Sequence, residues 1–150
     1  MNPETWKRPE SILVVIHSLG GQVLLMERCR PRGFWQSVTG SLEWGETARE
    51  AAVREVFEET GLNARRWLID CRRSETFPIV PPWRERYAPD ARVNREHAFL
   101  LPLPARWTIR LSQAEHVASR WLPWQLAMRR ASSWTNRLAI RILAENRHWS

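Results

Sequence analysis

Apolar residues fall in short blocks along the first third of the chain, and their spacing sets the first elements. "SILVVIHS" (11–18) is a run of aliphatic, mostly β-branched residues of strand length, which reads as a buried strand. Gly20 and Gly21 turn the chain into "QVLLMER" (22–28), a plausible hairpin partner. "FWQSVTG" (34–40) reads as a short strand or extended loop. The period then changes. Thr47 followed by Glu50 fits a capping box, Ala52/Val56 and Val53/Phe57 pair at i, i+4 as an apolar face, and Gly61 stands where a left-handed cap belongs. A helix is expected over about Thr47–Thr60. "ARRWLIDC" (64–71) and "HAFLLPL" (97–103) read as further strands, and the tail from Trp121 to His148 as helix, break, helix. The proline-rich "FPIVPPWRERYAPD" (77–90) between those strands is unsuited to a central strand and long enough to be a functional loop. Mixed strands with few helices imply α+β or an α/β/α sandwich.

With 150 residues and neither a repeat nor a Gly/Ser linker, residues 1–150 are expected to form one domain with a sizeable core. Two cysteines, Cys29 and Cys71, are too few for a disulfide framework, and the longest apolar run, "ILVVI", is far short of a membrane span. A cytoplasmic protein with no membrane partner is expected. The formal charge of +7 suits a phosphate-rich partner, but the arginines are scattered and a solvated surface explains them as well. Ten tryptophans point mainly to packing.

The helix carries an oddity. Glu55 and Glu59 are one turn apart, Glu58 lies beside them, and like charges at that spacing cost a few tenths of a kcal/mol per pair. Arg54 could relieve this by pairing with Glu58, four residues on. Alternatively the acids converge on Mg²⁺, a hard ion that prefers oxygen ligands.

The flanking spacing bears on that choice. From Gly40 the order is five residues, Glu46, seven residues, Arg54-Glu55-Val56, one residue, Glu58-Glu59, one residue, Gly61-Leu62. Chance agreement at seven fixed identities is below roughly one in a million. This pattern resembles the signature of the Nudix hydrolases at every position. The resemblance implies an α/β/α sandwich with a mixed sheet and hydrolysis of a diphosphate linkage. It also implies a Mg²⁺ ion, with Mn²⁺ as a possible substitute. Glu55 and Glu59 then match metal ligands, the Gly40 carbonyl a backbone ligand, and Arg54 with Glu46 an orienting ion pair. Glu58 matches a position that serves as ligand or as base.

Further pieces resemble the folate-pathway branch of that family, whose substrate is 7,8-dihydroneopterin triphosphate: "KRPESILVVI", "FWQSVTGSLEWGETA", "RYAP" and "SWTNR" among them. By that resemblance Glu115 becomes a third carboxylate ligand rather than a surface acid. Lys7 and Arg28 become triphosphate contacts rather than solvated strand ends. Phe77, Pro78, Ile79 and Val80 become a ring-contacting segment rather than a loop pinned by Phe77. Thr39 and Ser133 fit ligand contacts, and equally a strand-end threonine bonding its own backbone and a helix cap. The proline at 78 cannot donate an amide. Two other functions remain open: a broader (d)NTP or oxidised-nucleotide hydrolase, and a nucleotide- or RNA-binding module on the same fold, although nucleic acid is the less expected partner because the box keeps all its acids.

Overall fold

The computed structural model describes residues 6–146. The first five residues, and positions 147–148 of the expected terminal helix, lie outside the described residues.

β1 (Glu10–Ser18) is the spine of the fold, and all but its first residue are buried. It turns at Ser18–Gln22 into β2 (Gln22–Arg28), with the Ser18 hydroxyl taking the Gln22 amide at 3.1 Å. β3 (Trp35–Gln36) follows on β2, and β4 (Val38–Ser41) runs antiparallel to β1. β5 (Ile69–Pro78) and β6 (Val93–Leu103) form an antiparallel pair, and β6 lies parallel to β1 in register from Glu10↔Arg95 to Ser18↔Leu103. β7 (His116–Pro123) pairs antiparallel with β2. The seven strands form one mixed sheet.

Helices cover both faces. Side chains on β1 alternate between them, as a period of two requires. Ile12, Val14 and Ile16 pack with Phe99 and Leu101 against Ala52 and Val56 of α1 (Ala48–Thr60). Val15 faces the other way, with Val23 and Leu25, against Ala127 of α2 (Trp124–Arg130) and Ile140 and Leu143 of α3 (Trp134–Glu145). The expected α/β/α sandwich with a mixed sheet is therefore what forms. Among the described residues, no helix is long and apolar enough to cross a membrane.

Several local expectations need correction. Residues 64–68 are not strand: the Leu68 amide bonds the Ala64 carbonyl at 3.0 Å in a helical turn, and both side chains enter the core four residues apart. Strand β5 instead runs on to Pro78, so Phe77 and Pro78 belong to the sheet and not to the loop. Strand β7 takes in Trp121–Pro123, and α2 begins only at Trp124. Phe57 is 53% exposed. The buried positions of α1 are 51, 52, 55, 56, 59 and 60, so the core-facing stripe carries two glutamates and Phe57 lies behind it. The tryptophans partly explain themselves, since their indole N–H groups tie loops down: Trp44 Nε1 to the Trp6 carbonyl at 2.8 Å and Trp121 Nε1 to that of Trp107 at 3.2 Å.

Candidate active site

α1 starts and stops as its sequence dictates. Thr47 accepts from the Glu50 amide while Glu50 accepts from the Thr47 amide, and Gly61 closes the helix at φ 78° with its amide on the Phe57 carbonyl. Fixing both ends fixes the rotation of the helix, and that rotation drives Glu55 and Glu59 against the sheet.

Glu55 is tolerated there because the facing strand residue is Gly40. A Cβ at position 40 would stand 2.3 Å from the Glu55 carboxyl carbon. Arg54 then binds the surroundings together. Its Nε and Nη2 hold the two Glu46 carboxylate oxygens at 2.8 Å each, Nη1 reaches Glu55 Oε1 at 2.7 Å, and Nη2 donates to the Ser41 carbonyl at 3.1 Å. The bond to Glu46, foremost, holds Arg54 protonated more firmly than usual. Glu46 also accepts from the Glu43 amide, and Arg8 fastens the same loop through the Glu43 and Glu46 carbonyls at 3.0 and 2.9 Å. The Arg54–Glu58 contact is longer, at 3.4 Å, than those to Glu46 and Glu55, and the Glu58 side chain is 49% exposed.

Glu59 is the more unusual acid. It is 1% exposed, and as a carboxylate neither of its oxygens meets a hydrogen-bond donor. Burial first, and then Glu55 within reach of a shared proton, hold the Glu59 carboxyl well above its ordinary range; burial also raises Glu55. Glu115 and His116, at the start of β7, bring their ligand atoms and that of Glu59 within 4.8 Å of one another. His116 Nε2 lies 3.7 Å from Glu59 Oε1 and 3.4 Å from Gln36 Nε2, and burial lowers the imidazole to about 4, so its ring is neutral at pH 7. Two buried acids, of which Glu59 meets no donor among the described residues, a third acid and a neutral imidazole make a donor set of oxygen plus one nitrogen, which fits a divalent cation.

All the other proposed contacts line one cleft of about 1530 Å³ beside this cluster. Lys7 and Arg28 meet there, joined by Arg86, which the sequence did not single out. The Lys7 amide bonds the Arg86 carbonyl at 2.9 Å, and burial, then Arg86 and Arg28, lower the Lys7 ammonium. Three crowded cations beside an acidic cluster are a site for a polyanion. The Cys29 amide, next to Arg28, holds the Glu115 carbonyl at 2.8 Å. Phe77 and Pro78 line the cleft from the end of β5, and Ile79 and Val80 from the turn beyond, where the Ile79 amide is already taken by the Arg92 carbonyl at 2.9 Å. Thr39 lines it from within β4, opposite Leu13. Ser133 lines it while capping α3, accepting from the Asn136 amide at 3.2 Å. Glu46 and Glu58 stand outside the cleft lining. The aromatic pair Phe34 and Trp83, edge to face at 6.0 Å, forms part of the wall and was likewise missed in the sequence, where tryptophan carried no spacing signal.

A mixed sheet between helices, with a capped acidic helix set against a strand glycine, defines the class: the chain belongs to the NUDIX domain family, which it matches over residues 7–141, and it is a Nudix hydrolase. Such hydrolases generally use divalent metals. The chain is 44% identical over 144 residues to the dihydroneopterin triphosphate diphosphatase of Escherichia coli K12, covering 93% of this chain and 95% of that one. It is 36% identical over 140 residues to the Haemophilus influenzae protein of the same name, covering 91% and 87%. The solved E. coli dihydroneopterin triphosphate pyrophosphohydrolase superposes with a TM-score of 0.87 at 44% identity, over 95% of this chain and 99% of that one.

Proposed function

We propose that this protein hydrolyses 7,8-dihydroneopterin triphosphate to dihydroneopterin monophosphate and pyrophosphate, with Mg²⁺, in folate biosynthesis. The observation that carries the reading is that one cleft brings together a buried acid cluster, three crowded cations and a partly apolar wall ending in Phe77. Those parts match a metal-assisted reaction on a triphosphate attached to a flat ring. Likeness to the two named diphosphatases over more than nine-tenths of the chain supports the ring being a pterin.

In this reading Glu55, Glu59 and Glu115, with the Gly40 carbonyl, hold the cation, and His116 joins them. Bound there, Mg²⁺ offsets the charge that develops on the phosphates and makes a water molecule easier to deprotonate. The chain does the positioning. Lys7, Arg28 and Arg86 take the phosphate oxygens by charge-assisted hydrogen bonds and fix the α–β link in place. Arg54, held by Glu46, keeps Glu55 aimed at the cluster and acts as a positioning residue. Glu58, half exposed and tied only to Arg54, takes a secondary part in charge balance. Phe77, Pro78, Ile79, Val80, Thr39 and Ser133 surround the remainder of the substrate. One water is consumed, the α–β anhydride link opens, and pyrophosphate leaves. Residues 1–150 act as one domain in this reading, and Cys29 and Cys71, which are not joined in a disulfide, suit a reducing cytoplasm.

The test is pyrophosphate release with Mg²⁺ from dihydroneopterin triphosphate, dATP, GTP and 8-oxo-dGTP at equal concentration, with EDTA and Mn²⁺ controls. A kcat/KM at least about tenfold higher for the pterin is expected. A flat profile or a nucleotide preference overturns the substrate and leaves a broader hydrolase. Salt-sensitive RNA binding without turnover would instead leave a binding module.

A further inference from the structure

The cleft has a second polar group that the phosphate chemistry does not use. Asn94 and Glu96 are two residues apart on β6 and therefore point to the same face of the sheet. Both line the cleft, and they are only 4% and 9% exposed. Asn94 Nδ2 donates to the Ser11 hydroxyl at 2.8 Å, but Asn94 Oδ1 has no hydrogen-bond partner among the described residues. A buried amide oxygen left in this state is destabilising and calls for a donor from elsewhere. Glu96 is a buried acid with no cation paired to it among the described residues. The hydroxyl of Thr135, in the first turn of α3, is a neighbouring donor, and burial lifts the Glu96 carboxyl to about 7. Across the strand pair, Phe77 stands opposite Asn94, so an aromatic face borders this acceptor-rich wall.

Register fixes where the wall lies. Ser11 of β1 is opposite Ser41 of β4 on one side and Glu96 of β6 on the other. Glu96 is therefore two strand spacings, about 10 Å, from the strand whose Gly40 abuts Glu55. That separation suits a ligand with its phosphates at one end and a ring at the other.

We propose that Asn94 and Glu96 read the edge of the substrate's ring, accepting from an in-plane row of N–H donors formed by a ring N–H and an adjacent exocyclic amino group. The two Glu96 oxygens face the ring N–H and one amino hydrogen, as a carboxylate faces a guanidinium, while Asn94 Oδ1 takes the other amino hydrogen. Phe77 lies against the ring face. Pterin and guanine both carry this edge, whereas adenine offers an acceptor in place of the ring N–H. The assignment rests on the proposed function for the pterin itself, but not for the edge.

The experiment compares Glu96→Gln and Asn94→Ala with the wild type on dihydroneopterin triphosphate, dGTP and dATP. It adds metal-free fluorescence titration with dihydroneopterin, which has no phosphates. Glu96→Gln is expected to lower kcat/KM about 10- to 100-fold for the two substrates with the donor edge and at most about threefold for dATP, and to raise the Kd of dihydroneopterin about tenfold or more. Asn94→Ala should do the same to a smaller degree, and it carries the test if Glu96→Gln does not fold. Equal losses on all three substrates, or an unchanged Kd for dihydroneopterin, overturn the assignment. If dGTP proves the best substrate and falls with these variants while dATP does not, the pterin reading fails and the edge reader stands. If the pterin remains best while the variants leave selectivity unchanged, the edge reader alone fails.

Discussion

The two ends of the cleft are built differently. At the phosphate end, Gly40, Glu46, Arg54, Glu55 and Glu59 come from one strand end, loop and helix within 20 residues of sequence, and the placing of the helical members follows from helical spacing and two caps. At the ring end, Ser11, Phe77, Asn94, Glu96 and Thr135 come from three strands and a distant helix, and only sheet register brings them together. A reaction shared by many substrates can be encoded locally. Recognition of one ring is encoded in how separate strands align.

The contrast breaks most sharply at Glu59. Glu59→Gln is expected to lower kcat by about a thousandfold or more, since the lost charge is one that the phosphate chemistry requires. Its metal-free melting temperature should stay level or rise, because a neutral side chain relieves a buried acid pair. Near-normal turnover by this variant would remove Glu59 as a ligand. Gly40→Ala comes next. Its methyl must displace the Glu55 carboxyl, so about a hundredfold loss of kcat is expected with a folded protein by circular dichroism; an unaffected rate would mean that Glu55 can work from another position. Lys7→Ala should act mainly through KM, raising it about tenfold for every triphosphate alike, and steady-state kinetics on two substrates would expose any ring selectivity hidden there.

The smallest effect concerns stability at the ring end. Burial raises Glu96 from 4.5 to about 7, so the folded protein keeps a proton that the unfolded chain releases across that interval. The associated stability is present below pH 4.5 and is lost as pH rises to about 7. Glu96→Gln removes this dependence. Relative to the wild type it should gain roughly 3 kcal/mol between pH 4.5 and 8, measured by urea denaturation without ligand. A pH profile parallel to that of the wild type would show that Glu96 does not titrate abnormally.

How much could be read from sequence follows the same division. The capped helix and the spacing of its acids were legible because consecutive residues on a helix have fixed relative positions, whereas the Arg54–Glu46 pair came only from the family resemblance, since Glu46 lies in the loop before the helix. Strand β7 was not, because only His116 of its eight residues is buried and the strand shows no alternation to detect. Strand β6 was begun at His97, four residues late, because Asn94 and Glu96 are polar residues in inward-facing positions, where a periodicity argument expects apolar ones. The same misfit with the pattern marks them as functional. His116 and Arg86 were passed over for a different reason: each gains its meaning from neighbours far away in sequence, Glu59 in one case and Lys7 in the other.

The irregularity between Glu27 and Arg28, where the pairing of β2 with β7 shifts register, has a consequence for how the enzyme can change over time. It sets Arg28 opposite His116, while the Cys29 amide clasps the carbonyl of Glu115. Arg28 and Glu115, the proposed phosphate contact and outlying metal ligand, are thereby held at one corner of the sheet. A single residue inserted between His116 and Arg120 would turn the imidazole, and Glu115 with it, away from Glu59, and is expected to abolish turnover as measured by pyrophosphate release.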